Sequence, residues 1–322
     1  MVKAIIAQRP GDAGVLDLVD LPSTPLEPGA VRVAVKFAGV NFWDVMQRRG
    51  IVPLGDPAVP GVEGTGTITE VGSDVDSRRV GERVVWSKVG GSYASEVVGP
   101  EASFVTVPAN LSDEEAAGLL MQGVTAQYLA EDTWPLAEGD SAVVHAAGGG
   151  VGTLLTQFLK ARGVFVIGVV SKEEKREAAA SAGADEVLVF SDRYVDAVRA
   201  IIPGGVAAVF DANGGADTLL GVDVLRRRGA LVLYGAAGGP PPEFDLGRLG
   251  AGSFYVTRTA GRDYAQTPQE WRGRAADVLA RAGAGQLRAI AGGIWPLSEA
   301  ADAHRHLESR ASVGKLLLDV SK

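Results

Sequence analysis

Residues 141–175 read SAVVHAAGGGVGTLLTQFLKARGVFVIGVVSKEEK. The apolar run Ala142–Ala147 predicts a buried strand, Gly148, Gly149, Gly150 and Gly152 interrupt it, and Thr153–Arg162 carries a helical pattern. A second apolar run, Val164–Val170, is rich in β-branched residues, so the unit closes as βαβ with a right-handed crossover. The glycines therefore fall on a strand-to-helix turn, the place where a dinucleotide pyrophosphate binds. The pattern is Ala147-x-Gly149-x-x-Gly152, with alanine at the usual first glycine. Gly149 would let the backbone approach the pyrophosphate, Gly152 would let helix and strand pack closely, and the helix N-terminus offers N–H groups and a positive dipole end. A glycine cluster alone also fits an ordinary flexible turn; its position between an apolar strand and a helix favours the nucleotide.

The end of the second strand bears on which nucleotide. A site for NAD places Asp or Glu roughly 20 residues beyond the glycines to bind the ribose 2′-OH, whereas a 2′-phosphate needs donors and positive charge. This chain has Ser171-Lys172 there, with Lys175 and Arg176 one turn on. Glu173 and Glu174 are near, but a helix need not aim them at the ribose. The expectation is NADPH; the competing reading is that Lys172 and Lys175 lie on a solvated helix face.

Outward from this stretch, 322 residues exceed one typical domain, and two are expected. A hydrophobic content of 46% with 22% charged residues is that of a soluble globular protein. No segment is apolar for long enough to span a bilayer and the N-terminus lacks a signal-peptide core, so a cytoplasmic location is expected. The net charge of −8 argues against a nucleic-acid footprint. Cysteine is absent, which removes disulfides, thiolate nucleophiles and cysteine-ligated zinc. Only His145, His304 and His306 remain as imidazole ligands, and no catalytic metal is expected.

Residues 3–108 predict an all-β module, with runs VKAIIAQ, VRVAVKFAG, GTGTITEVG, RVVWSKV and FVTVP between Gly, Pro and Asp turns. Gly39–Gly50 interrupts it with a helical pattern that has Asn41 or Asp44 near its start. From Ser112 the character changes: DEEAAGLLMQGVTAQYLAEDTW has acidic residues in its first turn and apolar residues at helical spacing. Strands are then expected at Glu186–Phe190, Ala207–Asp211, Ala230–Tyr234 and Ser253–Thr257, and helices at Glu173–Ser181, Arg193–Ile201 and Ala216–Arg226. Such alternation means a doubly wound parallel sheet, an α/β fold. After Gly261 two more helical segments and the strand-like runs QLRAIAGGIWPL and GKLLLDVS break the alternation, so the C-terminus is expected to return to the first module.

With these residues in view, the chain resembles the zinc-independent quinone oxidoreductases, the zeta-crystallin-like branch of the medium-chain dehydrogenases/reductases. The likeness rests most on Gly139-Asp140 leading to Ala147-Gly148-Gly149-Gly150-Val151-Gly152, then Gln157 and Lys160, with Val143 where the family signature has leucine. Val40-Asn41-Phe42 with Asp44, Gly61-Val62-Glu63-Gly64, Gly81-Glu82-Arg83-Val84, Gln122-Gly123-Val124-Thr125, Phe254–Arg258 and Leu307–Arg310 also match. Zinc-dependent relatives would place a histidine ligand where this chain has Val62.

The resemblance implies a GroES-like catalytic domain over residues 1–120 completed by 262–322, and a Rossmann domain over 121–261. It implies metal-independent, NADPH-dependent two-electron reduction of quinones or conjugated carbonyls. Asn41, Gln122, Thr125 and Gly235 would line the nicotinamide end, and Ala147, Gly149, Gly150, Val151, Gly152, Ser171, Lys172 and Lys175 the phosphate end. It also implies a homodimer through the strand near Phe254–Thr257. Two departures stand out: Met46 replaces a tyrosine that faces substrate in many relatives, and Phe190 replaces a tyrosine near the adenosine phosphate.

Hydride transfer without a metal needs donors where negative charge develops on the acceptor oxygen. Asn41's amide is one candidate, its alternative being a turn-capping asparagine. Asp44 is a candidate acid or, equally, a first-turn residue complementing the helix dipole. Glu63 could act as a base, although its glycine-rich surroundings favour a structural role. His145 reads as a core histidine, and His304 and His306, two apart on a helix, point to different sides. Trp43, Met46 and Trp271 could wall an aromatic pocket or simply fill the core. No proton donor stands out, which tilts the reading to quinones, whose reduced oxygens take protons from solvent. The alternatives are an enoyl-thioester reductase in a biosynthetic pathway and a low-turnover NADPH-binding sensor or structural protein.

Overall fold

The computed structural model describes Met1–Lys322. Strands β1 (Val2–Ala7) and β2 (Leu16–Leu21) form an antiparallel pair of their own. The long β3 (Ala30–Val40) runs into the short helix α1 (Phe42–Arg48), and β4 (Glu63–Val71), β5 (Arg83–Ser87), β6 (Glu96–Pro100) and β7 (Phe104–Thr106) follow. Helix α2 (Asp113–Tyr128) leads out of this β-rich part.

The alternating part begins with β8 (Ser141–His145), α3 (Gly150–Ala161), β9 (Phe165–Val170), α4 (Arg176–Ser181) and β10 (Glu186–Val189). It continues through α5 (Tyr194–Ile201), β11 (Val206–Asp211), the one-turn α6 (Leu220–Asp223), β12 (Leu225–Leu233) and β13 (Tyr255–Arg258). Last come α7 (Pro268–Gly283), β14 (Ala291–Pro296), α8 (Ala300–Glu308) and β15 (Lys315–Asp319). The chain divides into one unit of Met1–Met121 with Thr267–Lys322 and a second of Gln122–Gln266.

In the first unit β15 pairs antiparallel with the second half of β3, with Leu316 opposite Val40, while β6 pairs with the first half. The full sheet runs β14-β15-β3-β4-β5-β7, with β6 added at β3. The closing strands thus complete the sheet that the opening residues begin. Inward-facing Val31, Val33, Val35, Ile68, Val84, Trp86, Val97 and Phe104 form one core, as the period-two pattern of these strands requires.

The second unit holds a six-stranded sheet in the order β10-β9-β8-β11-β12-β13, every neighbouring pair parallel. In strand-order terms this is the 3-2-1-4-5-6 Rossmann arrangement, whose order reverses between β8 and β11. All six residues of β11 are buried, because helices cover both faces of such a sheet; the first five are apolar and the sixth, Asp211, accepts from Thr218 Oγ1 at 2.7 Å.

The structure departs from the sequence pattern at residues 216–226 and at strands β2 and β6. Residues 216–226 were expected to be helical, but a 3-10 turn and the one-turn α6 occupy Ala216–Asp223, and Leu225 already pairs with Val206 of β11. Burial of Leu225 and Val224 against the sheet outweighs the helical propensity of the arginine-rich segment, whose Arg226, Arg227 and Arg228 stay exposed. Strands β2 and β6 were not anticipated.

Candidate active site

The turn after β8 is built from backbone. Ala146 takes a left-handed conformation with φ 52°, Gly149 N–H bonds Ala146 O at 2.9 Å, and Ala147 N–H reaches Val169 O of β9 at 3.1 Å. Gly149 caps α3 without a side-chain hydrogen bond, so no cap side chain satisfies the first-turn N–H groups of Gly150, Val151 and Gly152. A Cβ on Gly152 would stand 2.2 Å from Ala146 O and 2.8 Å from Ala147 Cα, a distance no side chain tolerates. Glycine here lets α3 sit hard against β8. Gly235, just past β12, is equally constrained: a Cβ would meet Ala212 O at 2.2 Å.

At the carboxyl end of β9, Ser171 and Lys172 are exposed and Lys175 follows in a half-buried turn. Glu173 is held by Arg176, Oε1 to Nε 2.7 Å, and Arg176 also donates to Val187 O. Of the two acidic residues in this turn, one is therefore committed to a neighbouring guanidinium. Gln122 is buried and Thr125 half-buried on α2. Next to Gly235, the Tyr234 hydroxyl is closed off from solvent and has no hydrogen-bond partner, and burial holds its pKa above the ordinary phenol value. Nothing in the sequence marked Tyr234 out.

The remaining candidates gather in the first unit at the N-terminus of α1. Asn41 is buried; its Nδ2 donates to Glu63 Oε1 at 2.9 Å, and its Oδ1 accepts from Lys315 Nζ at 2.8 Å. Lys315, 3% exposed, also pairs with Glu63, 1% exposed, and Glu63 Oε2 accepts Met121 N–H at 3.2 Å. Glu63 is thus one half of a buried ion pair, which agrees with the structural role its surroundings suggested. Lys315 went unnoticed in the sequence, although a lone lysine opening the apolar strand KLLLD was a signal that something anionic lay beneath it.

Asp44 is fully buried. Its Oδ2 accepts the Asn41 backbone N–H at 2.9 Å and the Tyr93 hydroxyl at 3.1 Å, while Oδ1 has no partner. Burial pushes its pKa up to about 7; Lys315 and the Asn41 N–H pull the other way. His304, also fully buried, lies 3.0 Å from the Tyr93 hydroxyl through Nε2, and burial with nearby Arg48 lowers its pKa to about 3. His306 points elsewhere and packs against Trp295, ring centroids 5.4 Å apart. In the second unit His145 meets the Tyr194 hydroxyl at 3.0 Å, a satisfied core histidine, and Phe190 packs on both rings. Trp271 is core, its Nε1 donating to Ser87 Oγ at 3.1 Å, whereas Trp43 is 43% exposed and Met46 half-buried. No group of three or more His, Cys, Asp or Glu side chains is placed to hold a metal ion.

Two family models match, the alcohol dehydrogenase GroES-like domain over residues 27–138 and the zinc-binding dehydrogenase domain over 150–281. A quinone oxidoreductase of Pseudomonas aeruginosa is 36% identical over 99% of both chains. The chain belongs to the quinone oxidoreductase branch of the medium-chain dehydrogenases/reductases. A 2-haloacrylate reductase of a Burkholderia species is 35% identical over 90% of this chain and 91% of its own. A mycobacterial relative solved in complex with NADPH superposes with a TM-score of 0.93 at 37% identity, over 99% of each chain. For this quinone oxidoreductase family member, the GroES-like model covers the part that carries Asn41 and Asp44, and the dehydrogenase model starts at the first residue of α3.

Proposed function

We propose that this protein catalyses metal-independent, two-electron reduction of quinones or related α,β-unsaturated carbonyls by NADPH. The observation that carries the reading is the Ala146–Gly152 turn, where a side chain at Gly152 would collide with Ala146 O at 2.2 Å and the uncapped start of α3 is turned to an anion. Relatives named for quinone reduction and a neighbour holding NADPH support it.

Bound NADPH would supply the hydride. The first-turn N–H groups of Gly150, Val151 and Gly152 would hold its pyrophosphate, and Ser171, Lys172 and Lys175 its 2′-phosphate. Gln122, Thr125 and Gly235 would line the nicotinamide end. Asn41 would offer its amide to the acceptor oxygen as negative charge develops there, oriented by Lys315 on one side and Glu63 on the other. Protons for a hydroquinone can come from solvent, so the scheme requires no acid at carbon. The relative that reduces 2-haloacrylate favours a second reading in which the acceptor is an activated alkene and a proton must reach carbon.

We place the working form as a homodimer joined through β13, which is an edge strand with Tyr255 52% and Val256 39% exposed. We place it in the cytoplasm; no helix is long and apolar enough to cross a membrane. The decisive experiment is an NADPH-oxidation screen across quinones, enones and enoyl thioesters, with NADH as the control donor. Turnover of quinones with NADPH preferred is the expected result. Turnover confined to enoyl thioesters would replace the substrate class, and binding without turnover of any acceptor would leave a nucleotide-binding protein.

A further inference from the structure

Helix α1 is held at both ends by one chain of buried side chains. At its C-terminal end Arg48, 1% exposed, forms a two-pronged pair with Glu308 of α8, Nη1 to Oε2 2.9 Å and Nη2 to Oε1 2.8 Å. Arg48 Nη1 also lies 3.4 Å from His304 Nδ1; His304 Nε2 lies 3.0 Å from the Tyr93 hydroxyl; that hydroxyl lies 3.1 Å from Asp44 Oδ2, which receives the Asn41 N–H.

The proton positions in this chain follow from elimination. An arginine only donates, so His304 Nδ1 must be the acceptor and Nε2 must carry the ring proton. Nε2–H then donates to the Tyr93 oxygen, which leaves the phenol proton for Asp44. Every donor points from Arg48 toward Asp44, so the network is complete with Asp44 ionised, the form that prevails above about pH 7. A proton on Asp44 Oδ2 would oppose both the phenol and the Asn41 N–H, and one on Oδ1 would have no acceptor.

We propose that Tyr93 and His304 are positioning residues for Asn41, holding Asp44 as the ionised cap of α1 through a one-way relay of hydrogen bonds. The link to turnover rests on the function proposed above; the relay itself does not. The charged and titratable groups facing Asp44 are Lys315 from β15, Glu63 from β4 and Tyr93 from the β5–β6 connection; those facing His304 are Arg48 from α1 and Glu308 from its own helix. Burial disfavours the carboxylate and the relay favours it, so the balance between them sets where Asp44 titrates.

The test is the titration of the Asp44 carboxyl carbon, followed by NMR in aspartate-labelled full-length protein and assigned with D44N. Tyr93→Phe keeps the ring and removes the donor, and should raise the Asp44 titration by about one unit. His304→Leu should shift it in the same direction by less, and His304→Gln, whose amide can donate to Tyr93 and accept from Arg48, should restore it. The acid limb of kcat should follow these shifts while the affinity for NADPH stays unchanged. An Asp44 titration unmoved in Tyr93→Phe would overturn the relay, and a moved titration with an unmoved acid limb would overturn the positioning role. If the wild-type chain reduces no acceptor, the functional reading fails alone and the titration still decides the relay.

Discussion

The Ala146–Gly152 turn of the second unit is built from backbone, whereas the cluster at the start of α1 in the first unit is built from side chains brought from far apart. The turn is contiguous: one strand end, one left-handed alanine, one helix start and a glycine at which a Cβ would come within 2.2 Å of Ala146 O. The α1 cluster draws on Asn41, Asp44, Glu63, Tyr93, His304 and Lys315, from five separate stretches of sequence, and every one of them is buried. The first kind of site depends on the absence of a side chain where backbones meet, as at Gly152. The second depends on each charge finding its partner, since a buried group left alone costs far more than the pair contributes.

That contrast can be broken most forcefully at Lys315. Lys315→Ala leaves Glu63 without its counter-charge in the interior and should destabilise the protein by about 3–5 kcal/mol, read from the urea midpoint, with Lys315→Met/Glu63→Gln recovering most of the loss. The next effect concerns Asp44. Its folded-state pKa of about 7 lies above that of an exposed carboxyl at about 3.9, so between those values the folded chain keeps a proton the unfolded chain has released. This stabilisation is complete below about pH 4 and is lost as pH rises toward 7, by on the order of 2–4 kcal/mol. Asp44→Asn should flatten that fall when unfolding is compared at pH 5 and pH 8.

The backbone site should fail differently. Gly152→Ala should weaken NADPH binding by about a hundredfold or more while leaving the first unit folded, as measured by nucleotide fluorescence and by near-ultraviolet circular dichroism. Asn41→Ala should do the reverse, lowering kcat by up to about a hundredfold with the dissociation constant of NADPH unchanged. The smallest expected effect is at Lys172: replacing it with alanine should cost about tenfold in NADPH affinity and nothing in NADH affinity.

The same contrast explains what the sequence made legible. The βαβ start, the doubly wound sheet and the glycine turn are local patterns, and strand periodicity with glycine placement exposes them directly. The return of the last strands was visible as a break in alternation, but their pairing with β3 was not. Residues 216–226 misled because helix-forming residues there are overruled by sheet burial of Val224 and Leu225. Asn41, Asp44 and Glu63 stood out as isolated polar residues, yet their partners did not. Tyr93 reads as one more aromatic in a β module, and His304 as one face of an amphipathic helix; only long-range packing brings both to Asp44.

The pairing of β15 with β3 means that the first unit is interrupted in the chain by the whole of the second. During synthesis the second unit emerges uninterrupted and can fold before the ribosome has made Lys315. Until that lysine arrives, Glu63 has no counter-charge and Asn41 no second anchor. Assembly of the charged cluster at α1 thereby waits until the stretch beyond the second unit has been made.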